Sequence, residues 1–334
     1  MRNKQQNDFT KKLLTLVFPI AFQQFMLALV SASDALMLGV LSQDALSAVS
    51  LASQITFVEN LFFAAMTIGL SMFAAQYWGK KDKASVERIF AYVMKITSVV
   101  SFLFFIAGLC APSILMRIFT NEQVLIDGGT IYLRTVSLSF FLTGISQIYL
   151  CTLKNSGKAA KSSIISSVSV VINILLNAFL IFGLFGFPKM EIAGAALATV
   201  IARLIEAIWC VLETARKDCV KLKLHNILHN DKLLRRDFWK YTYPVLCNEF
   251  VWGVGFTMYS VIMGHLGSDA VAANSIANIV KTLSPVFALV SAVAAVLLSV
   301  MSLEQESLTL QNYTAKNSVG CQSFAAYFPA SYCF

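Results

Sequence analysis

Eight stretches of about 20 or more mostly apolar residues run through this sequence, each long enough to cross the hydrocarbon core of a bilayer. They cover residues 13–38, 51–75, 90–112, 130–152, 162–185, 192–214, 238–263 and 270–299. Charged residues make up only 13% of the chain, against about 25% in an ordinary soluble domain. Because backbone in lipid must form its own hydrogen bonds, each stretch is expected to be a helix. The sequence therefore predicts an all-α polytopic membrane protein.

The lysines and arginines follow a regular pattern in the loops. Basic loops alternate with base-poor loops along the chain, and the linker at 215–237 is the most basic. Loops rich in lysine and arginine stay on the cytoplasmic side. We therefore expect the N-terminal segment 1–12 and the linker 215–237 to be cytoplasmic, in a protein of the cell membrane. The same pattern accounts for the net charge of +8, so no nucleic-acid partner is expected.

One polar segment occurs twice. The residues from Gly39 to Ser50 return from Gly264 to Ser275, 225 positions later, with six identities and no gap. Six apolar stretches and a linker between the copies keep both in the same orientation. Parallel repeats of this kind build two-lobed transporters with a site between the lobes. We expect a complete N-lobe at 13–214 and the first two helices of a C-lobe at 238–299.

The pattern changes near the end of the sequence. Residues 300–334 are polar and contain no apolar stretch of spanning length. The repeat places the counterpart of the segment 76–79, Gln-Tyr-Trp-Gly, at 301–304, where the chain reads Met-Ser-Leu-Glu. Residues 301–304 can be encoded by codons that, read in another reading frame, give Asn-Glu-Leu-Gly at these positions. We therefore expect 300–334 to be a frameshifted, non-native tail, which the coding DNA would test.

Several short motifs follow one another in a recognisable order. They are Pro19 with Asp34-x4-Gly39-x-Leu41, Gln76-x-x-Gly79, Asn173-x3-Asn177 with Phe182-Gly183, Gly194-Ala-Ala-x-Ala-Thr199, Pro244-x3-Asn248-Glu249, and Gly264-x-Leu266-Gly267. In order and spacing they resemble the MATE (multidrug and toxic compound extrusion) family of cation-coupled antiporters. The resemblance implies a two-lobed fold of twelve helices, monomeric when full length, that exports organic, often cationic compounds in exchange for Na⁺ or H⁺. This chain matches one whole lobe and about a third of the other.

Asp34 is the one carboxylate in the first apolar stretch. A charge at that depth costs about 2.5–3.5 kcal/mol, so we expect it to face the bundle interior. Asn173 and Asn177 are four residues apart and share a helix face. The resemblance implies a cation-coupling site of Asp34, Asn173, Asn177 and Thr199, with the departure that several relatives have Asp at position 177. One carboxylate leaves both Na⁺ and H⁺ open, and purely structural hydrogen bonds, such as one from Ser31 to Asp34, are the alternative.

Other polar residues lie inside the predicted helices. Asn248 and Glu249, just after Pro244, are candidates for a proton, cation or substrate site in the second lobe. Arg203 and Glu206, one turn apart, are expected to form a structural ion pair. Lys281 has two candidate partners, Glu59 and Glu249. The candidate cavity residues are Gln23, Gln24, Glu59 and Trp252.

No signature of an enzyme is present. The sequence contains no nucleophile motif, phosphate loop, dinucleotide fingerprint or metal-ligand spacing, and its seven scattered cysteines fit small buried side chains. We therefore expect no cofactor beyond the coupling ion, and small organic cations and membrane lipid as partners. The alternatives are a lipid-linked precursor flippase on a related two-lobed fold, or an inactive remnant. A flippase would line its cavity with basic side chains for a pyrophosphate, whereas this lobe offers acids and amides.

Overall fold

A computed structural model describes residues 2–80, 82–214, 220, 222 and 232–281, with side chains from residue 22 onward. Every regular element in this part of the chain is helical. The helices are α1 (Arg2–Leu41), α2 (Gln43–Gly79), α3 (Lys83–Cys110), α4 (Pro112–Phe119), α5 (Gln123–Asn155), α6 (Ala159–Phe182), α7 (Glu191–Thr214), α8 (Lys232–His265) and α9, which is described over residues 268–281. A short 3₁₀ helix, Leu184–Gly186, follows α6. The prediction of an all-α protein is confirmed.

Seven of the described helices are long and apolar enough to cross a membrane: α1, α2, α3, α5, α6, α7 and α8. The chain is therefore a multi-pass membrane protein, with the six predicted helices of the N-lobe in place. We call the side of the bundle that carries the lysine-rich and arginine-rich loops the basic end, and the other side the base-poor end. The predicted stretch 270–299 is described only as far as residue 281. The tail 300–334 and most of the linker 215–237 lie outside the described residues.

The turns between the helices differ from the predicted ones. A loop is expected around residues 42–44, between the predicted stretches 13–38 and 51–75, but Ser42 alone separates α1 from α2, and the rest of the first copy of the repeated segment is helical. The Ser42 hydroxyl accepts a hydrogen bond from the Ala45 amide and so caps α2. The negative charge of Asp44 in the first turn interacts favourably with the positive end of the helix dipole. At the basic end, Asp82 caps α3. Hydrogen bonds from the Ser85 hydroxyl and amide hold the pKa of this carboxyl below its usual value.

The short helix α4 was not predicted from the sequence. It starts at Pro112, whose missing N–H is not needed in a first helical turn. Its apolar face turns inward, where Met116 and Phe119 are buried. Met116 packs directly over Gly129 of α5, where a larger residue would collide with it. An eight-residue amphipathic helix is too short to produce a spanning signal, so its residues resemble a loop in the sequence.

The helix α5 is the centre of the N-lobe and packs against α2, α3 and α7, while α6 lies between α1 and α7. Apolar side chains form two clusters, one nearer the basic end around Phe90 and Ile148, the other nearer the base-poor end around Leu125 and Leu133. The α6–α7 pair comes closest at Gly194. A methyl group added there would lie 2.6 Å from the carbonyl oxygen of Leu180. This contact explains why the motif that begins at Gly194 is made of small residues.

The helix α2 also packs along α8, with the two helices antiparallel. Phe73 meets Phe238 near the basic end, and Phe57 meets Trp252 and Phe256 nearer the base-poor end. In between, Leu61 packs over Gly253. The residues of α2 that face α8 are thus spaced by four, as a helix face requires.

The two copies of the repeated segment contact each other at the base-poor end. The Ser275 hydroxyl donates to the Ser50 hydroxyl at 2.7 Å, and these residues occupy the same position in the two copies. The Ser47 hydroxyl donates to the Ser268 carbonyl at 2.9 Å, and the Gln43 amide donates to the Asp269 carboxylate. A contact between equivalent residues is what a two-fold relation between copies produces.

We expect Gly194→Ala to destabilise the protein by about 1–3 kcal/mol, because the added methyl group would push against the backbone of α6. The measurement is the melting temperature of the purified protein in detergent. Gly255→Ala is the matched control, since a methyl group on this α8 residue meets no atom within 4 Å. Equal melting temperatures for the two variants would contradict the close α6–α7 contact.

The contact between the repeats predicts that Ser50→Cys and Ser275→Cys form a disulfide together, because the side-chain oxygens they replace are 2.7 Å apart. The test uses a chain without its native cysteines and with a protease site in the linker 215–237. After oxidation and cleavage, a non-reducing gel should show the two fragments still joined. Each single variant, and the pair Ser31→Cys with Ser275→Cys, should separate. Separation of the first pair would argue against the contact.

Candidate functional site

Asp34 lies at the end of a chain of polar side chains inside the N-lobe. The Asn177 side-chain amide donates to the Asp34 carboxylate at 2.5 Å and to the Asn173 carbonyl oxygen at 3.1 Å. The Asn173 amide donates in turn to the Thr199 hydroxyl at 3.3 Å. The structure thus brings together, from α1, α6 and α7, the four residues that the family resemblance implies. Ser31 bonds to the carbonyl of Leu27 rather than to Asp34.

The local sequence explains how these side chains meet. Asn173 and Asn177 are one turn apart on α6 and both are buried. Thr199 bonds to the carbonyl of Ala195, and the small residues that start α7 bring it close to α6. Asp34 is partly buried and reaches the group from α1.

Oxygen atoms at this site can hold a small cation. The side-chain oxygen of Asn177 is buried and accepts no hydrogen bond from the described residues. It lies next to a carboxylate, which supplies the negative charge. Carboxylate, amide and hydroxyl oxygens are the ligands that hard cations prefer. A carboxylate can also take up a proton, so the chemistry of the group suits either Na⁺ or H⁺.

Two further residues lie within electrostatic range of Asp34 and were not predicted as part of the site. Tyr132 of α5 is buried, bonds to Ser53 and lies within electrostatic range of Asp34. Arg203 of α7 forms the expected ion pair with Glu206 at 2.8 Å, but it also acts electrostatically on Asp34. Tyr132 is an ordinary aromatic residue near the start of a predicted stretch, and only the packing of α5 against α2 shows its role.

The candidate cavity residues are scattered. Glu59 is completely buried, and it points into the N-lobe towards Ser101 of α3 rather than towards α8. Gln23 is buried as well, with its side-chain oxygen unpaired among the described residues, while Gln24 is partly buried. Trp252 lies at the α2–α8 contact, 5.9 Å from Phe57 between ring centroids.

Asn248 and Glu249 are neighbours in sequence but differ in burial. Asn248 is exposed and Glu249 is 1% exposed, and one Glu249 oxygen has no hydrogen-bond partner among the described residues. Trp252 is three residues further on the same helix face, and its ring is 4.4 Å from that of Phe256. The Lys281 ammonium lies 3.9 Å from the centroid of Phe256. Lys281 therefore contacts an aromatic ring, whereas the sequence suggested Glu59 or Glu249 as its partner.

The cysteines and histidines form no cluster in the part of the chain that the structure describes. Cys151 and Cys210 are buried, and Cys110 and Cys247 are exposed, all four as free thiols. His265 bonds to the Val261 carbonyl. Within the described ranges, no group of three or more histidine, cysteine or acidic residues is placed to hold a metal ion.

Comparisons with known proteins agree with this architecture. The sequence model of the family described as MatE matches residues 19–179. The chain is 24% identical over 272 residues to the uncharacterized transporter YisQ of Bacillus subtilis, covering 80% of this chain and 59% of YisQ. It is also 24% identical over 278 residues to a probable multidrug resistance protein NorM of Thermotoga maritima, covering 83% of this chain and 60% of that protein.

Solved structures share the fold. The structure of the MATE multidrug transporter DinF-BH superposes with a TM-score of 0.72 at 19% identity, over 84% of this chain and 61% of that one. An outward-facing multidrug resistance MATE transporter of the MOP superfamily gives a TM-score of 0.66 at 16% identity, over 90% and 72%. The chain spans about three fifths of the length of the curated relatives named above.

Proposed function

We propose that this chain, whose residues 19–179 match the MatE family model, is a MATE-family transporter and acts as a cation-coupled antiporter that exports drugs or other organic, often cationic, compounds. In this proposal Na⁺ or H⁺ moves inward through Asp34 while the compound moves outward. One of the named relatives is a probable multidrug resistance protein, which supports efflux as the activity.

The observation that carries the proposal is the hydrogen bond from Asn177 to Asp34 inside an apolar bundle. Donors that point at a carboxylate stabilise its charged form, and burial destabilises that form. An incoming cation or proton neutralises the Asp34 carboxylate, so the occupancy of Asp34 changes the net charge inside the lobe. A ligand that binds one conformation better than another shifts the population towards that conformation.

The α2–α8 contact offers a place for the exported compound. Glu249 is a buried acid one turn before Trp252 on α8, and Trp252 packs with Phe57 and Phe256. Aromatic faces attract organic cations, and a carboxylate attracts them further. Phe256 already binds one cationic group, the Lys281 ammonium, whereas a lipid pyrophosphate would need several basic side chains.

The alternation of basic and base-poor loops supports a definite orientation. We infer that the basic end, with the N-terminus and the linker 215–237, lies in the cytoplasm, and that the protein acts as a monomer in the cell membrane. The repeated segments then touch on the outer side.

Asp34→Asn should reduce coupled efflux to background while leaving the amount of protein in the membrane unchanged. An amide of the same size keeps the packing but loses the negative charge that binds the cation. The measurement is ethidium export from cells under an imposed Na⁺ or pH gradient. Comparing the two gradients identifies the ion.

Asp127→Asn is the matched control, since Asp127 is an exposed aspartate in α5 whose carboxylate accepts from Gln123. This variant should export at the normal rate. Undiminished export by the Asp34 variant would show that Asp34 does not take part in coupling.

Glu249→Gln should lower export of cationic compounds by about tenfold or more, a change of about 1.4 kcal/mol, and leave neutral compounds less affected. The reason is the loss of the negative charge one turn before Trp252 and the rings packed with it. The measurement compares a cationic dye with a neutral compound of similar size in the same cells. Glu191→Gln, at an exposed position paired with Lys189, is the control. Equal losses for both compounds would leave Glu249 with a packing role.

A further inference from the structure

Glu59 has the least satisfied carboxyl group in the described N-lobe. It lies in the middle of α2 and is 0% exposed. Neither of its oxygens has a hydrogen-bond partner of good geometry among the described residues. A carboxylate in such a place, taken from water without donors, costs several kcal/mol or more, and in practice such a group takes up a proton.

The surroundings of Glu59 are closed to solvent. The Ser101 hydroxyl of α3 lies beside it, at a geometry too poor for a regular hydrogen bond. Ser101 itself is 0% exposed and packs against Gly144 of α5, where any added side-chain atom would collide with its hydroxyl. A metal cation needs several oxygen ligands, whereas a proton needs only the carboxylate.

The faces of α2 confirm this placement. Phe57 and Leu61 face α8, where they meet Trp252 and Gly253. Glu59 is two residues from each of them and therefore lies on the opposite side of the helix. Phe63, four residues after Glu59, packs on the same side near Gly144. Glu59 thus belongs to the lobe interior rather than to the surface between lobes.

Two basic side chains lie near the acids of this interior. Arg203 is bonded to Glu206, which is 1% exposed, and lies within electrostatic range of Asp34 and Glu59. Lys154 of α5 lies within electrostatic range of Glu206 as well. The ion pair that the structure shows here engages Glu206 and not Glu59. Other ionisable side chains on the helices packed against α2 include Asp34 on α1, Glu87, Arg88 and Lys95 on α3, Arg117 on α4, Asp127, Tyr132, Arg134 and Lys154 on α5, and Glu249 on α8. The charged side chain that acts on Glu59 is Arg203.

We propose that Glu59 is a second proton-binding site of the N-lobe, separate from the Asp34 site. With Arg203 engaged by Glu206, Glu59 carries a proton while the lobe is at rest. Its occupancy adds one proton to the ions that the lobe carries per cycle. This last consequence rests on the proposed antiporter function, whereas the binding of the proton does not.

The test is infrared spectroscopy of the full chain in lipid vesicles at neutral pH, which separates protonated carboxyl groups from carboxylates. Glu59→Gln should remove one protonated carboxyl absorption, and Glu191→Gln, an exposed control, should remove carboxylate absorption instead. If Glu59→Gln does not fold, Glu59→Asp should move the protonated band without removing it. Loss of carboxylate absorption from Glu59→Gln, or an unmoved band in Glu59→Asp, would overturn the proposal.

Transport then separates this proposal from the proposed function. In vesicles with a pH gradient, Glu59→Gln should lower proton uptake by one proton per exported molecule relative to the unsubstituted chain. If the unsubstituted chain shows the Glu59 band but moves no substrate, the proton site stands and the antiporter function is refuted. Export with unchanged proton uptake in Glu59→Gln, and no Glu59 band in the unsubstituted chain, would refute the Glu59 site and leave the antiporter function standing.

Discussion

Burial of carboxyl groups away from water is the constraint on which the N-lobe depends. In a lipid-embedded bundle, each acid must find donors, a counter-charge, a cation or a proton within the protein. Asp34 has the amide of Asn177, and Glu206 has the guanidinium of Arg203. The small residues after Gly194 serve the same end, because the close α6–α7 approach is what lets Thr199 reach Asn173. Packing and chemistry are therefore parts of one arrangement.

Much of this arrangement follows from the sequence, and the reasons are physical. A long apolar stretch in lipid forms a helix, because its backbone must bond to itself, so the spanning helices were predictable. Where each helix starts depends on a single capping residue, such as Ser42 or Asp82. The grouping of Asp34 with Asn173, Asn177 and Thr199 followed from the family motifs. Tyr132, and the reach of Arg203 to two acids, depend on how α5 and α7 pack, and no local pattern encodes that.

The helix α2 connects the interior of the N-lobe with the other repeat. One face, with Glu59 and Phe63, closes the polar interior, and the opposite face, with Phe57 and Leu61, packs on α8. A helix is stiff over this length, so a change of charge on one face acts on a body that also forms the contact with α8.

The contact between the repeats is built differently from the lobe interior. At the base-poor end it combines buried apolar side chains, such as Val271 against the first copy, with hydrogen bonds such as the one between Ser50 and Ser275. Each neutral hydrogen bond contributes only about 0.5–1.5 kcal/mol, because water replaces it when the surfaces part. Differential binding of a cation can supply a comparable energy, since about 1.4 kcal/mol corresponds to a tenfold preference for one conformation. A tenfold preference at the ion site is thus similar in energy to one of the hydrogen bonds that join the repeats.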